Sequence, residues 1–192
     1  MPEIEEHPLK PFLPRNARLL MLGSFPPQQK RWCMDFYYPN MQNDMWRIFG
    51  IIFFQNKDYF LTENKKSFDK ERIIAFLNEK GIAIFDTASA IIRQKDNASD
   101  KFLEVVTPTD IKALLTEIPV CEAIVTTGQK ATDTLLALFP ATEPKVGSYS
   151  VFDHDGQEMK LFRMPSSSRA YPKPLTEKAA IYQTMFEELK MI

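Results

Sequence analysis

The stretch RLLMLGSFPP, residues 18–27, decides the fold of this chain. Its first six residues form a nearly continuous apolar run, which is typical of a strand in a sheet covered on both faces. A glycine, a serine, a phenylalanine and two prolines follow at once and end the strand. In open α/β sheets the ligand site forms beyond the carboxyl ends of the strands. The abrupt stop at Gly23 therefore predicts a tight turn that faces a ligand.

Three further runs have a similar β-rich composition, and helical patterns separate the runs. Strands are predicted at residues 18–23, 81–86, 123–128 and 158–165, and helices at residues 43–54, 69–80, 108–118, 129–139 and 175–191. Asp155-Gly156 lies between two strand-like runs, which is a hairpin signal. The alternation predicts an α/β fold, a three-layer sandwich with a mainly parallel four-stranded central sheet, helices on both faces and an added hairpin edge.

Local signals predict where two of the helices begin. Thr107-Pro108 fits an N-cap followed by a proline at the first helical position. Ser67 or Asp69 opens the helix that ends at Gly81. Both helices are therefore expected to start close to these residues.

The composition restricts the class of protein. The chain has 192 residues, of which 44% are hydrophobic, so it is long enough for one domain with a substantial core. We expect a single domain in which residues 1–16 form an extended, acidic, proline-broken tail that is no signal peptide. The apolar runs are too short to cross a bilayer, and the two cysteines lack the spacing of a zinc site or a disulfide framework. We expect a cytoplasmic protein with no metal, no cofactor and no membrane partner.

Small and hydroxyl-bearing residues dominate the turns after the four predicted strands. The turn residues are Gly23, Ser24, Phe25 and Pro26 after the first, Asp86 after the second, Gly128 and Gln129 after the third, and Ser166, Ser167 and Ser168 after the fourth. Residues of this kind let a ligand approach the backbone and expose N–H donors at helix starts. Strand-to-helix turns favour such residues in any case, but their convergence at one sheet edge favours a site.

Basic residues follow the same four strands, although the formal net charge of the chain is only −1. They are Lys30 and Arg31, Arg93 and Lys95, Lys130, and Arg169 and Lys173. A nearly neutral protein can in this way present a positive rim to a phosphate backbone. The alternative is an ordinary surface of mixed charge.

The block YYPNMQNDMWRIFG, residues 37–50, places two tyrosines and a tryptophan around asparagines before an apolar helix. One interpretation is structural, with Asn43 as the helix cap and Trp46 packed in the core. The other interpretation is functional and rests on a resemblance to a known family.

GSFPP followed by YYPNMQNDMWRI resembles the first motif region of the uracil-DNA glycosylase superfamily. The likeness is greatest to its hypoxanthine-DNA glycosylase branch and the mismatch-specific relatives. GIAIFDTASA is similar to the second strand and its Asp-containing turn in that branch, IVTTGQKA to the third strand, and MPSSSRAYP to the serine-rich loop that grips DNA. The chain departs from the pattern at Pro27, at Asp44-Met45 and at Arg169, which bears on substrate choice more than on the fold.

The resemblance implies a monomeric, monofunctional DNA glycosylase that removes uracil or hypoxanthine in base-excision repair. It makes Asn43 the residue that orients the attacking water, and it places the base pocket at Gly23, Ser24, Phe25, Pro26, Tyr38, Trp46 and Asp86. It implies DNA contacts from Lys30, Arg31, Gly128, Gln129, Lys130, Ser166, Ser167, Ser168, Arg169 and Tyr171. Iron–sulfur branches are excluded because they need four cysteine ligands and the chain has two cysteines.

Other candidates and other functions stay open at this point. Asp86 is either a second carboxylate of the site or the cap of a following helix, and we favour the cap. His7 and His154 lie in the predicted tail and hairpin turn, where a general acid is not expected. A non-catalytic nucleic-acid-binding or nucleotide-binding module and a nucleoside hydrolase are the competing functions.

Overall fold

The structure is a computed structural model that describes residues 2–94 and 100–192. Within these ranges the elements are β1 (Ile4–Glu6), β2 (Leu19–Gly23), α1 (Met45–Phe54), α2 (Lys70–Lys80), β3 (Ile82–Asp86), β4 (Ala88–Arg93), β5 (Leu103–Pro108), α3 (Ile111–Glu117), β6 (Ala123–Thr127), α4 (Gln129–Leu136), β7 (Ser148–His154), β8 (Gln157–Met164) and α5 (Leu175–Glu188). Short 3₁₀ turns lie at Gln29–Arg31 and Asp100–Phe102. Lys95, predicted to belong to the basic rim, lies outside the described residues.

The central sheet confirms the predicted α/β fold. Its strand order is β3-β2-β6-β8-β7, in which the first four strands are parallel and β7 pairs antiparallel with β8 through the Asp155-Gly156 hairpin. Strands β2, β3 and β6 are buried along their whole length, as expected for a parallel sheet covered on both faces. The register sets Gly23 opposite Asp86 and Thr127 opposite Met164. The carboxyl ends of all four parallel strands therefore reach one edge.

A second sheet, which the sequence patterns did not predict, packs beside this edge. It is antiparallel, with the order β1-β4-β5. The segment expected to be an extended tail contains β1, and Phe12 also exchanges two backbone hydrogen bonds with Ile84. Only Thr87 separates β3 from β4, so no helix follows Asp86 and the interpretation of Asp86 as a helix cap is wrong.

The N-caps of α2 and α3 can be compared with the sequence predictions for them. Asp69 caps α2 by accepting a hydrogen bond from the Arg72 N–H, and Gly81 ends that helix with a φ of 75°, as predicted. The prediction for α3 is wrong, because Thr107-Pro108 ends strand β5 instead. The N-cap of α3 is Asp110, whose carboxylate accepts a hydrogen bond from the Ala113 N–H.

Helix α1 supplies the aromatic centre of the core. Trp46 is fully buried, its ring contacts the rings of Phe36, Tyr38, Phe49 and Phe60, and its Nε1 donates to the Tyr37 carbonyl at 2.9 Å. Trp46 therefore lies in the core and does not line the base pocket in which it was expected. Helix α1 is buried on almost every side, since Met45 to Gly50 and Ile52 are all buried, so a side chain in this helix packs in the core.

Replacement of Trp46 tests this core position. Trp46→Ala is expected to lower the free energy of unfolding by about 3–5 kcal/mol, because it leaves a large cavity and an unpaired carbonyl. Denaturant unfolding measures the change. Trp32→Ala is the matched control, since Trp32 is only partly buried, and equal losses for the two variants would contradict the assignment.

Candidate functional site

A cavity of about 670 Å³ opens where the parallel strands end. It combines the turn after β2, the segment before α1 and the loop after β8, which are far apart in sequence. Most of the predicted site residues line it, namely Gly23, Ser24, Phe25, Pro26, Arg31, Tyr38, Asn43, Asp86, Ser166, Ser167, Ser168, Arg169 and Tyr171. The structure thus brings the four predicted post-strand turns near one edge, with three of them around one cavity.

Gly23 is the last residue of β2 and lies at the floor of the cavity, where a larger residue would not fit. A Cβ on Gly23 would lie 2.7 Å from Asp86 Oδ1 and 3.4 Å from the Tyr38 hydroxyl. The Gly23 carbonyl accepts a hydrogen bond from the Thr87 N–H, which holds the turn against the start of the second sheet. The glycine of the opening stretch therefore allows a carboxylate and a phenol to meet at the strand end.

Asp86 is held from the side opposite the cavity mouth by His7. The imidazole Nε2 lies 2.6 Å from Asp86 Oδ2, and the side chains of His7 and Asp86 are only 4% and 9% exposed. The rings of Phe25, Tyr37 and Phe85 surround the imidazole. His7, which the sequence analysis placed in a tail, thus lies behind Asp86 and supports it without lining the cavity itself.

Asp100 brings a second carboxyl group to the cavity. Its Oδ1 accepts a hydrogen bond from Ser24 Oγ at 2.7 Å. Burial raises the pKa of Asp100 above its usual value, and the nearby charge of Asp86 raises it further. The Ser24 hydrogen bond and the charges of Lys130 and Arg93 act in the opposite direction. The pocket therefore combines two carboxyl groups. Asp86 is paired with a histidine, and Asp100 has a pKa that burial raises above the usual value for an aspartate.

Two tyrosines add neutral hydroxyl groups to the site. Burial raises the pKa values of Tyr37 and Tyr38 well above 10, and the negative charge of Asp86 contributes to both shifts. Tyr38 adopts a left-handed backbone with a φ of 51°, and its hydroxyl lies 3.2 Å from Thr127 Oγ1. At physiological pH both phenols are protonated; the Tyr37 hydroxyl donates to the Lys10 carbonyl at 2.6 Å, which leaves Tyr38 as the phenol that can donate to a ligand.

Asn43 lies where the chain enters α1. Its Oδ1 accepts a hydrogen bond from the Met45 N–H at 3.0 Å, and within the described part of the chain its Nδ2 donates to no protein atom. The segment around it pairs with the serine-rich loop, because the Asp44 N–H donates to the Ser167 carbonyl and the Arg169 N–H donates to the Gln42 carbonyl. The two regions singled out in the sequence are therefore directly bonded to each other.

A charged network under this junction fixes the serine-rich loop. Asp44 is buried, and its Oδ1 accepts from Arg47 at 3.0 Å and from Arg169 at 3.1 Å. Lys178 on α5 is 1% exposed, and its ammonium group donates to the Ser168 carbonyl. Arg169 is about half exposed, so its remaining guanidinium surface faces the mouth of the cavity.

Several predicted DNA-contact residues lie away from the cavity. Gly128 begins α4 with a φ of 92°, and its N–H donates to the Met164 carbonyl. The Gln129 side chain bonds to Asp133 and to Arg163, and Lys130 lines a separate open groove between β5 and α4. Lys30 is exposed in the turn at Gln29–Arg31. The structure does not bring these four residues to the cavity.

Sequence reasoning missed four residues of the site. His7, Tyr37, Asp100 and Thr127 were not predicted as site residues. Tyr37 and Thr127 adjoin predicted residues and were open to inference from their neighbours. For His7 and Asp100 no local signal exists, because strand pairing brings His7 to Asp86 and a turn brings Asp100 to the cavity. Within the described residues, no cluster of three His, Cys, Asp or Glu side chains could hold a metal ion.

Comparison with known proteins supports the fold. The chain matches no protein-family model and no curated protein sequence. It is similar to the solution NMR structure of a candidate uracil DNA glycosylase from Methanosarcina acetivorans, with a TM-score of 0.63 and 22% sequence identity. The match covers 98% of this chain and 99% of that one, so the two chains share their overall architecture. No helix in the described ranges is long and apolar enough to cross a membrane.

The elevated pKa of Asp100 predicts the pH dependence of stability. Above about pH 4 the unfolded chain releases this proton while the folded chain retains it, so ionisation of Asp100 progressively destabilises the fold as pH rises. Asp100→Asn cannot ionise, and its stability relative to the unchanged protein should increase as pH rises towards neutrality. Thermal unfolding across this pH range measures the difference.

Asp58→Asn is the matched control for this measurement. Hydrogen bonding from Lys57 lowers the pKa of Asp58, so ionised Asp58 stabilises the fold as pH rises. The stability of Asp58→Asn relative to the unchanged protein should therefore decrease as pH rises through the acidic range. The same trend in both variants would contradict the assignment of Asp100 as a destabilising, buried carboxyl group.

Proposed function

We propose that this chain is a DNA glycosylase that hydrolyses the N-glycosidic bond of a deaminated base, uracil or hypoxanthine, in base-excision repair. The observation that carries the proposal is the junction of Asn43 with the serine-rich loop at the mouth of a cavity sized for a base. The fold shared with the archaeal structure agrees with it. We further propose that the chain acts as a monomer, in one domain, without a metal or cofactor.

The reaction passes through an oxocarbenium-like state, in which negative charge develops on the departing base. Preorganised donors stabilise such charge most effectively when water is excluded. The protonated hydroxyl of Tyr38 and the Asn43 Nδ2 supply donors at the cavity. A nucleophilic side chain is not required, because a positioned water attacks the sugar carbon.

Asn43 is proposed to orient that water. Its Oδ1 bonds to the Met45 N–H, but an amide oxygen has two lone pairs, so one remains for a water proton. A neutral amide is a weak base and acts by orientation more than by proton abstraction. Chemistry is therefore expected to be slow and nearly independent of pH around neutrality.

A base can reach the cavity only after it leaves the DNA stack. Unstacking costs a few kcal/mol, and stacking on an aromatic ring recovers about 1–3 kcal/mol. Phe25 and Tyr38 line the cavity and can provide that ring, whereas Trp46 cannot. Arg31 and the serine hydroxyls at the mouth suit the flanking phosphates, and Tyr171 or Arg169 can occupy the gap in the duplex.

One observation favours a second function, a non-catalytic module that binds nucleic acid or nucleotides. The Asn43 oxygen already accepts a hydrogen bond from the N–H of Met45, the first residue of α1, which is a local bond typical of a purely structural asparagine. The N-cap position itself is occupied by Asp44 and not by Asn43. A module of this kind would retain the pocket and the basic mouth without turnover.

Asn43→Ala separates the two functions. The variant should lose on the order of 100-fold in single-turnover rate, about 3 kcal/mol, while retaining its affinity for DNA. Its unfolding free energy should fall by at most ~1 kcal/mol, as for a lost cap. The assay is gel analysis of cleaved oligonucleotides that carry uracil or hypoxanthine.

Asn56→Ala is the matched control. Asn56 Oδ1 accepts from the Asp58 N–H at 2.9 Å, so the control loses the same kind of bond outside the cavity. If Asn43→Ala were less stable but equally active, Asn43 would be a cap only. An unchanged protein that released no base from either oligonucleotide would favour the binding module.

The charged mouth predicts the salt dependence of DNA binding. Affinity should fall steeply with salt because neutralised phosphates release counterions. Arg169→Ala should weaken binding to damaged and undamaged duplex alike and lower the salt slope by about 1, while Asp44 keeps its partner Arg47. Fluorescence anisotropy of labelled duplexes measures both quantities.

Arg72→Ala removes an equal charge on α2, outside the cavity, and should change neither affinity nor slope. An affinity for DNA that does not change with salt concentration would instead favour a hydrolase of free nucleosides.

A further inference from the structure

The segment of residues 4–9 reaches the candidate site at two independent points. Strand β1 pairs with β4, and the His7 N–H donates to the Ser89 carbonyl, which fixes the segment beside the end of β3. Glu5 forms an ion pair with Arg93, whose guanidinium also donates to the Pro26 carbonyl in the turn after β2. From this anchored strand His7 projects to Asp86.

The surroundings of His7 determine which nitrogen carries its proton. Nδ1 accepts a hydrogen bond from the Leu9 N–H at 3.0 Å, so this nitrogen must present a lone pair. The proton of the neutral ring is therefore on Nε2, which donates to Asp86 Oδ2 at 2.6 Å. A proton on Nδ1 would face the Leu9 proton and break that bond.

The consequence for Asp86 is an asymmetric carboxylate. Oδ2 is committed to His7, and Oδ1 points to the end of β2, as its 2.7 Å distance from the missing Gly23 Cβ shows. A carboxylate held in this way is a hydrogen-bond acceptor of fixed direction at the cavity floor. Uracil at N3 and hypoxanthine at N1 both carry an N–H donor, so both bases can meet this acceptor.

We propose that His7 is a positioning residue that aims Asp86 at the N–H edge of the flipped base, which makes the N-terminal strand part of the specificity of the site. The inference rests on the proposed glycosylase function. His7 does not touch the base, since Asp86 and the rings of Phe25 and Tyr37 lie between the imidazole and the cavity.

Three variants test the role of the Nε2–H bond. His7→Gln can place an amide N–H near the position of Nε2, whereas His7→Leu keeps a similar volume without a donor. The third variant, Asp86→Ala, removes the group on which His7 acts. Each is measured for single-turnover release of uracil and of hypoxanthine, for affinity to the same duplexes with a non-cleavable 2′-fluoro nucleotide, and for thermal stability.

We expect His7→Leu to slow release about tenfold or more while duplex affinity stays within about twofold, as for other residues that orient a functional group. His7→Gln should recover most of the rate. In the Asp86→Ala background, His7→Leu should cause no further loss, because the two residues act as one unit. His154→Leu, which removes the other histidine in the β7–β8 hairpin, should leave the rate unchanged.

Three results would overturn the role of His7: an unchanged rate in His7→Leu, the same loss in His7→Gln as in His7→Leu, or a full extra loss in the Asp86→Ala background. Should His7→Leu fail to fold, the ring of the unchanged protein still tests the inference by long-range ¹H–¹⁵N NMR. Signals of the Nε2–H tautomer are expected, and an Nδ1–H tautomer would refute it.

These measurements keep the two proposals apart. Base release by the unchanged protein with normal activity of His7→Leu would refute the positioning role alone. No release from either oligonucleotide would refute the glycosylase function and the role of His7 in it, whatever the tautomer.

Discussion

The close approach of Asp86 to the end of β2 is the constraint on which the site depends. Parallel pairing sets Gly23 opposite Asp86, and only a residue without a Cβ leaves room for the carboxylate and the Tyr38 hydroxyl beside it. A parallel sheet positions such groups well, because its register is fixed by long buried strands and not by the turn itself. The site therefore inherits the rigidity of the core, and the flexible-looking stretch GSFPP is held on both sides by strands.

A second constraint joins the two halves of the chain. Backbone hydrogen bonds link the segment before α1 to the serine-rich loop, and the buried groups of Asp44 and Lys178 hold this junction from below. Buried charges of this kind contribute little net stability, since desolvation offsets much of their attraction. A buried charge that loses its partner is strongly destabilising. These charges therefore keep their partners, and their physical effect is to fix the orientation of the groups they join. The loop and Asn43 are thus held in one relative arrangement at the mouth of the cavity.

The central sheet, the hairpin and most of the cavity lining were predictable from sequence because each depends on a local pattern. Continuous apolar runs indicate parallel strands, and the residues after them must meet at one edge. The second sheet was not predictable in this way, since β1 has three residues and β4 follows β3 after a single threonine. Trp46 shows the converse limit. Its neighbourhood in sequence suggested a pocket, but helix α1 is buried on almost every side and the Trp46 side chain packs in the core. Position along the chain did not reveal His7, which long-range pairing brings to Asp86, or Asp100, which a turn brings to the cavity.

The N-terminal strand determines how Asp86 at the cavity floor is bonded, because it holds His7 beside that carboxyl group. Burial raises the pKa of Asp100, and a carboxyl group that keeps its proton can offer a ligand either a donor or an acceptor. At Asp86 the His7 Nε2–H bonds to Oδ2, so Oδ1 remains an acceptor at the end of β2. The two carboxyl groups of the cavity therefore have different neighbours, an imidazole at Asp86 and a hydroxyl at Asp100. Two carboxyl groups with different partners let one pocket distinguish the atoms of a ligand at two separate points.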